Sequence, residues 1–207
     1  MLFTLALLAS LVSMPQDLIT AAVKSYEHVA SYQATLRVSH GRSKEIIRYF
    51  FKKPGFVRME FIKPHKGAWL LYDPATNQVR LQPFGNSKVF GLTLSPDSSL
   101  VKSASGHRVD ETDIGTLLKR VRQLKQQGHA TNQGEELLGE RTTILVDVAG
   151  NPGVLVDGAS RFLLNLDPTT LLPLQVRTFD AAGQPLETVL MDDLQTDVAF
   201  ADGFFKQ

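Results

Sequence analysis

KKPGFVRMEFIKPHKGAWLLYD, residues 52–73, reads as strands broken by two Lys-Pro steps, Lys53-Pro54 and Lys63-Pro64. Between the prolines the chain alternates. Val57, Met59 and Phe61 point one way and Arg58 and Glu60 the other, flanked by Phe56 and Ile62. Period-two alternation marks a strand with one buried face. Proline offers no ladder donor and pushes the preceding residue towards extended geometry, so each Lys-Pro step marks a strand end. The apolar set contains long, flexible side chains. Such a face can pack a core or line a cavity that holds an apolar ligand, and both readings stand at this stage.

The pattern extends on both sides. Upstream, Tyr32, Ala34, Leu36 and Val38 alternate with polar residues, residues 40–43 (HGRS) form a turn, and Ile47, Tyr49 and Phe51 share one face of a second strand. Downstream, residues 69–72 form a strand, residues 73–77 (DPATN) a turn, Val79 and Leu81 continue as a strand, and residues 88–94 form another short one. The last third gives strands at residues 142–148, 161–167, 174–179 and 186–190, separated by turn residues.

Two helices are expected. Asp17 caps the first, which runs to Ala30 with an apolar stripe including Tyr26. The second spans residues 110–127, with Asp110 as its cap, Asp113 in an acidic capping box, and Gly128 at its end. Ile114, Leu117, Leu118, Val121 and Leu124 form its apolar stripe; a shorter helix is expected from Pro96. Helix, strands, helices, strands, with roughly nine to eleven strands in all, is an α+β pattern solved economically by one curved antiparallel sheet covered by helices.

The chain has 207 residues, 43% hydrophobic and 21% charged, with a net charge of +1. That is ordinary for a folded domain and unlike a nucleic-acid-binding one, so no nucleic acid is expected as partner. Cysteine is absent, which excludes disulfides, thiolate metal sites and a lipidated cysteine. Residues 2–14 form an uncharged apolar run ending in small residues. Residues 1–14 are therefore expected to be a signal peptide, atypical in that the first basic residue is Lys24, and residues 15–207 a single exported domain. The alternative is a buried N-terminal helix.

The five histidines are scattered, and only His107-x-x-Asp110 approaches ligand spacing. Asp192-Asp193 reads as a solvated strand end. No serine sits in a nucleophile elbow, and there is no Gly-rich phosphate loop. No catalytic residue, metal or cofactor is expected.

The segment Lys52-Lys53-Pro54-Gly55-Phe56-Val57-Arg58-Met59, through Pro64, resembles the strand-Pro-strand motif of the LolA-type periplasmic lipoprotein carriers. Residues 29–34 are similar to that family's passage from first helix to first strand, residues 70–73 to its next strand, and residues 192–205 to its C-terminal segment. The resemblance implies an unclosed β-barrel lidded by helices, with an apolar cavity for acyl chains. It implies a monomeric periplasmic carrier of lipoproteins or lipids, with an inner-membrane release complex and an outer-membrane acceptor as partners. A lipid or lipoprotein sensor acting on a membrane partner is the alternative.

On this resemblance Tyr49, Phe51, Val57, Met59, Phe61 and Leu71 are the expected acyl-cavity residues, and Tyr26, Lys53, Leu117, Leu118 and Val121 the expected lid residues. Lys53 stands where the family has a functional arginine, keeping the charge without the planar donor fork. Tyr26 stands near a lid-contacting leucine. The membrane-anchored receptor of the same fold is lipidated on a cysteine, so this chain matches the soluble form better.

Overall fold

The structure, a computed structural model, describes residues 17–83 and 91–206. The expected signal peptide lies outside those residues, as does part of the strand expected at residues 88–94.

Asp17 caps α1 (Leu18–Glu27) by accepting from the Thr20 backbone N–H, as its position predicts, and Leu18, Ile19 and Ala22 are buried. The chain then meanders through β1 (Ser31–His40), β2 (Ser43–Lys52), β3 (Phe56–Lys63), β4 (Trp69–Asp73), β5 (Gln78–Gln82) and β6 (Leu92–Leu94). Strands β2 and β3 end where the Lys-Pro steps predict. After a long connection come a 3₁₀ turn (Val109–Glu111) and α2 (Ile114–Gln126). A second meander follows: β7 (Gly128–Leu138), β8 (Arg141–Gly150), β9 (Arg161–Leu166), β10 (Pro173–Phe179) and β11 (Pro185–Thr196).

All these strands belong to one eleven-stranded sheet in the order β6-β5-β4-β3-β2-β1-β11-β10-β9-β8-β7. Each strand is antiparallel to its neighbours, and the two meanders meet where β1 pairs with β11. The outer strands β6 and β7 do not pair with each other, so the barrel is unclosed. The chain leaves the sheet at one edge and re-enters at the other, and α2 lies in that connection.

Several details differ from the sequence reading. Pro96 lies in a turn rather than a helix. The second helix begins at Ile114, capped by Asp113, and Asp110 belongs to the preceding 3₁₀ turn. Gly128 does not cap that helix; it opens β7, where an added Cβ would lie 2.0 Å from the Ala149 carbonyl oxygen. Asp192 and Asp193 lie inside β11, and Asp192 pairs with Arg37 of β1. Strand β7 went unread because nearly all of it is exposed, which removes the alternation.

The two faces of the sheet have different roles. The concave face joins α1 and α2 in the hydrophobic core. On the convex face Phe50 is buried by the C-terminal segment, its ring edge-on to Phe200 and Phe204 at 6.1 and 5.1 Å. Arg58 stacks over Phe204 and donates to its carbonyl oxygen. Among the described residues, no helix is long and apolar enough to cross a membrane.

Candidate functional site

The strand registers arrange the concave face in rows. Tyr32, Phe51, Val57 and Tyr72 form the first, and Ala34, Tyr49, Met59 and Leu70 the second. Met191, Leu36, Ile47 and Phe61 form the third, Val189, Val38 and Glu45 the fourth, and Glu187, His40 and Ser43 the fifth. The face thus runs from aromatic, through aliphatic, to polar. The period-two alternation of β1, β2 and β3 produces this gradient, because every second residue of each strand joins it.

The aromatic end is closed by the helices. Phe51 and Tyr49 stack on Tyr32 at 5.1 and 5.8 Å between ring centroids. Three tyrosine hydroxyls reach the start of α2. Tyr32 accepts from the Ile114 N–H at 3.0 Å, Tyr26 donates to Asp113 Oδ1 at 3.1 Å, and Tyr49 lies 3.3 Å from Thr112 Oγ1. Burial, then the nearby Asp113 carboxylate, pushes the Tyr26 and Tyr49 hydroxyls well above their ordinary range; burial does the same to Tyr32. All three therefore remain neutral hydrogen-bonding groups at any physiological pH.

Lys53 fixes the end of α1. Its Nζ donates to the Glu27 carbonyl at 2.8 Å and the Tyr26 carbonyl at 3.2 Å, and lies 5.1 Å from the centre of the Tyr26 ring. A cation beside the last carbonyls of a helix is favourably placed. At the other ends of the helices, Asp17 and Lys125 form an ion pair.

Beyond the helices the face opens into a cavity of 420 Å³, within the usual size range of ligand pockets. Its floor is the second to fifth rows. Its cover is made by Leu117 and Arg120 of α2 with loop residues 100–105 and 156–159. Arg120 ties these parts together, pairing with Glu111 at 3.3 Å and with Asp157. Ser105 donates to Glu187 at 2.7 Å, which anchors the first loop to β11. A second, more open groove beside the start of α2 is lined by Tyr26, Phe51, Lys53 and Lys119 among others.

Of the residues expected to form an acyl cavity, Met59 and Phe61 line the 420 Å³ cavity described above; of the expected lid residues, Leu117 does. Tyr49, Phe51 and Val57 occupy the same face in the rows packed into the core. Leu71 pairs with Arg58 and Arg80 and so lies on the opposite face, while Leu70 pairs with Met59 and lines the cavity. Leu118 and Val121 are fully buried core residues, and Tyr26 and Lys53 hold the helix junction.

The sequence reading missed the contributions of Leu36, Val38, Val189 and Met191, although the alternation of β1 was the signal that could have found the first two. It also missed both covering loops, which carry no periodic signal. No group of three or more histidine, aspartate or glutamate side chains is placed to hold a metal among the described residues. Asp110, once half of a candidate ligand pair, is engaged by Arg108 at 2.9 Å.

No family model matches the sequence, and no curated protein matches it. Solved structures do match. The complex of MucA and MucB from Pseudomonas aeruginosa aligns over 92% of this chain at 18% identity, with a TM-score of 0.55, and the match spans 60% of that chain. An uncharacterized conserved protein from Thermus thermophilus aligns over 93% of this chain and 92% of its own, at 13% identity and a TM-score of 0.56. The lipoprotein LppX from Mycobacterium tuberculosis aligns over 89% of this chain and 96% of its own, at 9% identity and a TM-score of 0.54. At these identities the likeness is one of fold. The shared fold is an unclosed antiparallel barrel with a helical cover.

Proposed function

We propose that the protein is a non-enzymatic periplasmic carrier that takes up acyl chains of lipids or lipoproteins and moves them between membranes. The observation that carries this reading is the cavity of 420 Å³ between the aliphatic rows of the concave face and a cover of helix and loops. Each methylene withdrawn from water contributes about 0.8 kcal/mol, so a chain of roughly fifteen supplies on the order of 10 kcal/mol of gross driving force. A carrier must cover that surface and then release it. The loop part of the cover is tied to β11 by the Ser105–Glu187 hydrogen bond, which can break without disrupting the strand ladder.

The reading is tested by native mass spectrometry of protein recovered from a bacterial periplasm, followed by delipidation and titration with a fluorescent fatty acid and a neutral long-chain alcohol. A co-purifying lipid, or saturable one-to-one binding of either probe, is the expected result. Protein that carries no lipid and binds neither probe refutes it.

A second reading is favoured by one observation, the match to MucB solved in complex with MucA. In it the domain binds lipid and passes that state to a protein partner at a membrane. The chain spans only 60% of the MucB chain, so this reading would require the partner to bind the LolA-like domain itself.

A further inference from the structure

The polar end of the cavity distinguishes between classes of amphiphile. The fourth and fifth rows place Glu45 on β2 beside Val38, and Glu187 on β11 beside His40, so two carboxylates flank β1 at the cavity rim. Both side chains are half-buried. Among the described residues neither carboxylate has an ion-pair partner. The Glu187 carboxylate accepts from Ser105, and the Glu45 carboxylate makes no hydrogen bond among the described residues. His40, between them, has a buried Nδ1 with no partner. Thr178 continues the polar row on β10.

The cations of the lining do not balance this charge. Arg120 is held by Glu111 and Asp157, away from the two glutamates in the bonding pattern. Lys102, on the covering loop, is exposed. A cationic ligand group at this end of the cavity would meet two carboxylates that no cation already engages. A carboxylate head at the same place would add a third negative charge.

We infer that the cavity selects an amphiphile whose polar end is a primary amine, held between Glu45 and Glu187, over one that ends in a free carboxylate. An ammonium group has three donors, which suits two carboxylates and the unmatched His40 nitrogen. The inference rests on the acyl-carrier reading and adds to it the chemical class of the head.

The test compares dodecylamine, dodecanol and dodecanoate, each below the concentration at which it aggregates, by calorimetric titration of the delipidated full chain. The chains match, so the head decides. The amine is expected to bind roughly tenfold more tightly than the carboxylate, the yield of two partly exposed ion pairs, with the alcohol between them. In the variant carrying Glu45→Gln and Glu187→Gln the preference for the amine over the carboxylate should collapse, while the circular-dichroism spectrum and urea midpoint report whether the fold is intact. Equal or tighter binding of dodecanoate by the wild type overturns the inference, and so does an amine preference that survives in the variant. If the variant does not fold, the wild-type order alone decides. Tight dodecanol binding without amine preference leaves the carrier reading standing and removes only the head-group assignment. Failure of all three probes removes both.

Discussion

Replacing Met59 by alanine separates a packed core from a ligand cavity. Met59 is 8% exposed, yet it lines the cavity, so part of its side chain has no protein neighbour. The change removes Cγ, Sδ and Cε. Were these fully packed, transfer alone would cost about 2.4 kcal/mol at about 0.8 per methylene equivalent, and the space left behind would bring the total to roughly 2–5 kcal/mol. With one side already open, about half the transfer contribution applies and no new cavity forms. The expected loss is then about 1 kcal/mol.

Leu118→Ala is the control. Leu118 is 1% exposed, belongs to the core and does not line the cavity, so its truncation should cost about 3 kcal/mol. The assay is urea unfolding of both variants and the wild type after delipidation, reading the midpoint at constant slope, with an acyl-probe titration alongside. Met59→Ala should cost about 1 kcal/mol and alter probe affinity; Leu118→Ala should cost about 3 kcal/mol and leave probe affinity unaltered. Equal losses in the two variants, with no probe bound by the wild type, would refute the cavity assignment and return Met59 to the core.

Lys53→Met removes the cation from the Tyr26 and Glu27 carbonyls while keeping the length of the stem, and should cost about 1 kcal/mol, with faster amide exchange concentrated in the last turn of α1; unchanged exchange there would show that the latch is not what holds the helix end. Asp17 tests the other end of the helix pair. Burial tends to raise its pKa, but hydrogen bonds from Lys125 and Thr20 outweigh that and lower it from 3.8 to about 2. A depressed carboxylate stabilises the fold above its unfolded pKa and loses that contribution as pH falls through its folded one, so Asp17→Asn should be less stable than wild type at pH 7 and converge with it near pH 2. With its side chain 41% exposed, screening limits the difference at pH 7 to under about 1 kcal/mol, read as a midpoint shift in urea.

The sheet was legible wherever one face of a strand is buried and the other is not. Residues 32–38, 47–51 and 57–61 satisfy that condition, and their alternation predicted the face they share. Strand β7 does not satisfy it. As an edge strand exposed along nearly all its length, it has no apolar face to announce it. The start of α2 was misplaced for a different reason. Asp110 and Asp113 are both competent caps by local chemistry, and Asp113 is the one at the helix because the Tyr26 and Tyr32 hydroxyls meet the chain at residues 113 and 114. Those contacts join residues more than eighty positions apart, beyond the reach of any local pattern.

The same division governs the site. Its floor was partly legible, because alternation assigns faces, but alternation cannot say which residue of a neighbouring strand stands opposite. Register decides that Leu70 rather than Leu71 accompanies Met59. The polar rim illustrates the point most sharply. Glu45, His40 and Glu187 lie on three strands, and Glu187 is some 140 positions from the other two, so only the seam between β1 and β11 makes them neighbours. Read along the chain, Glu45 and Glu187 are ordinary charged residues near strand ends. Read across the sheet, they end a face whose inner rows are aromatic and aliphatic, so a ligand that follows the gradient must present its polar group to them.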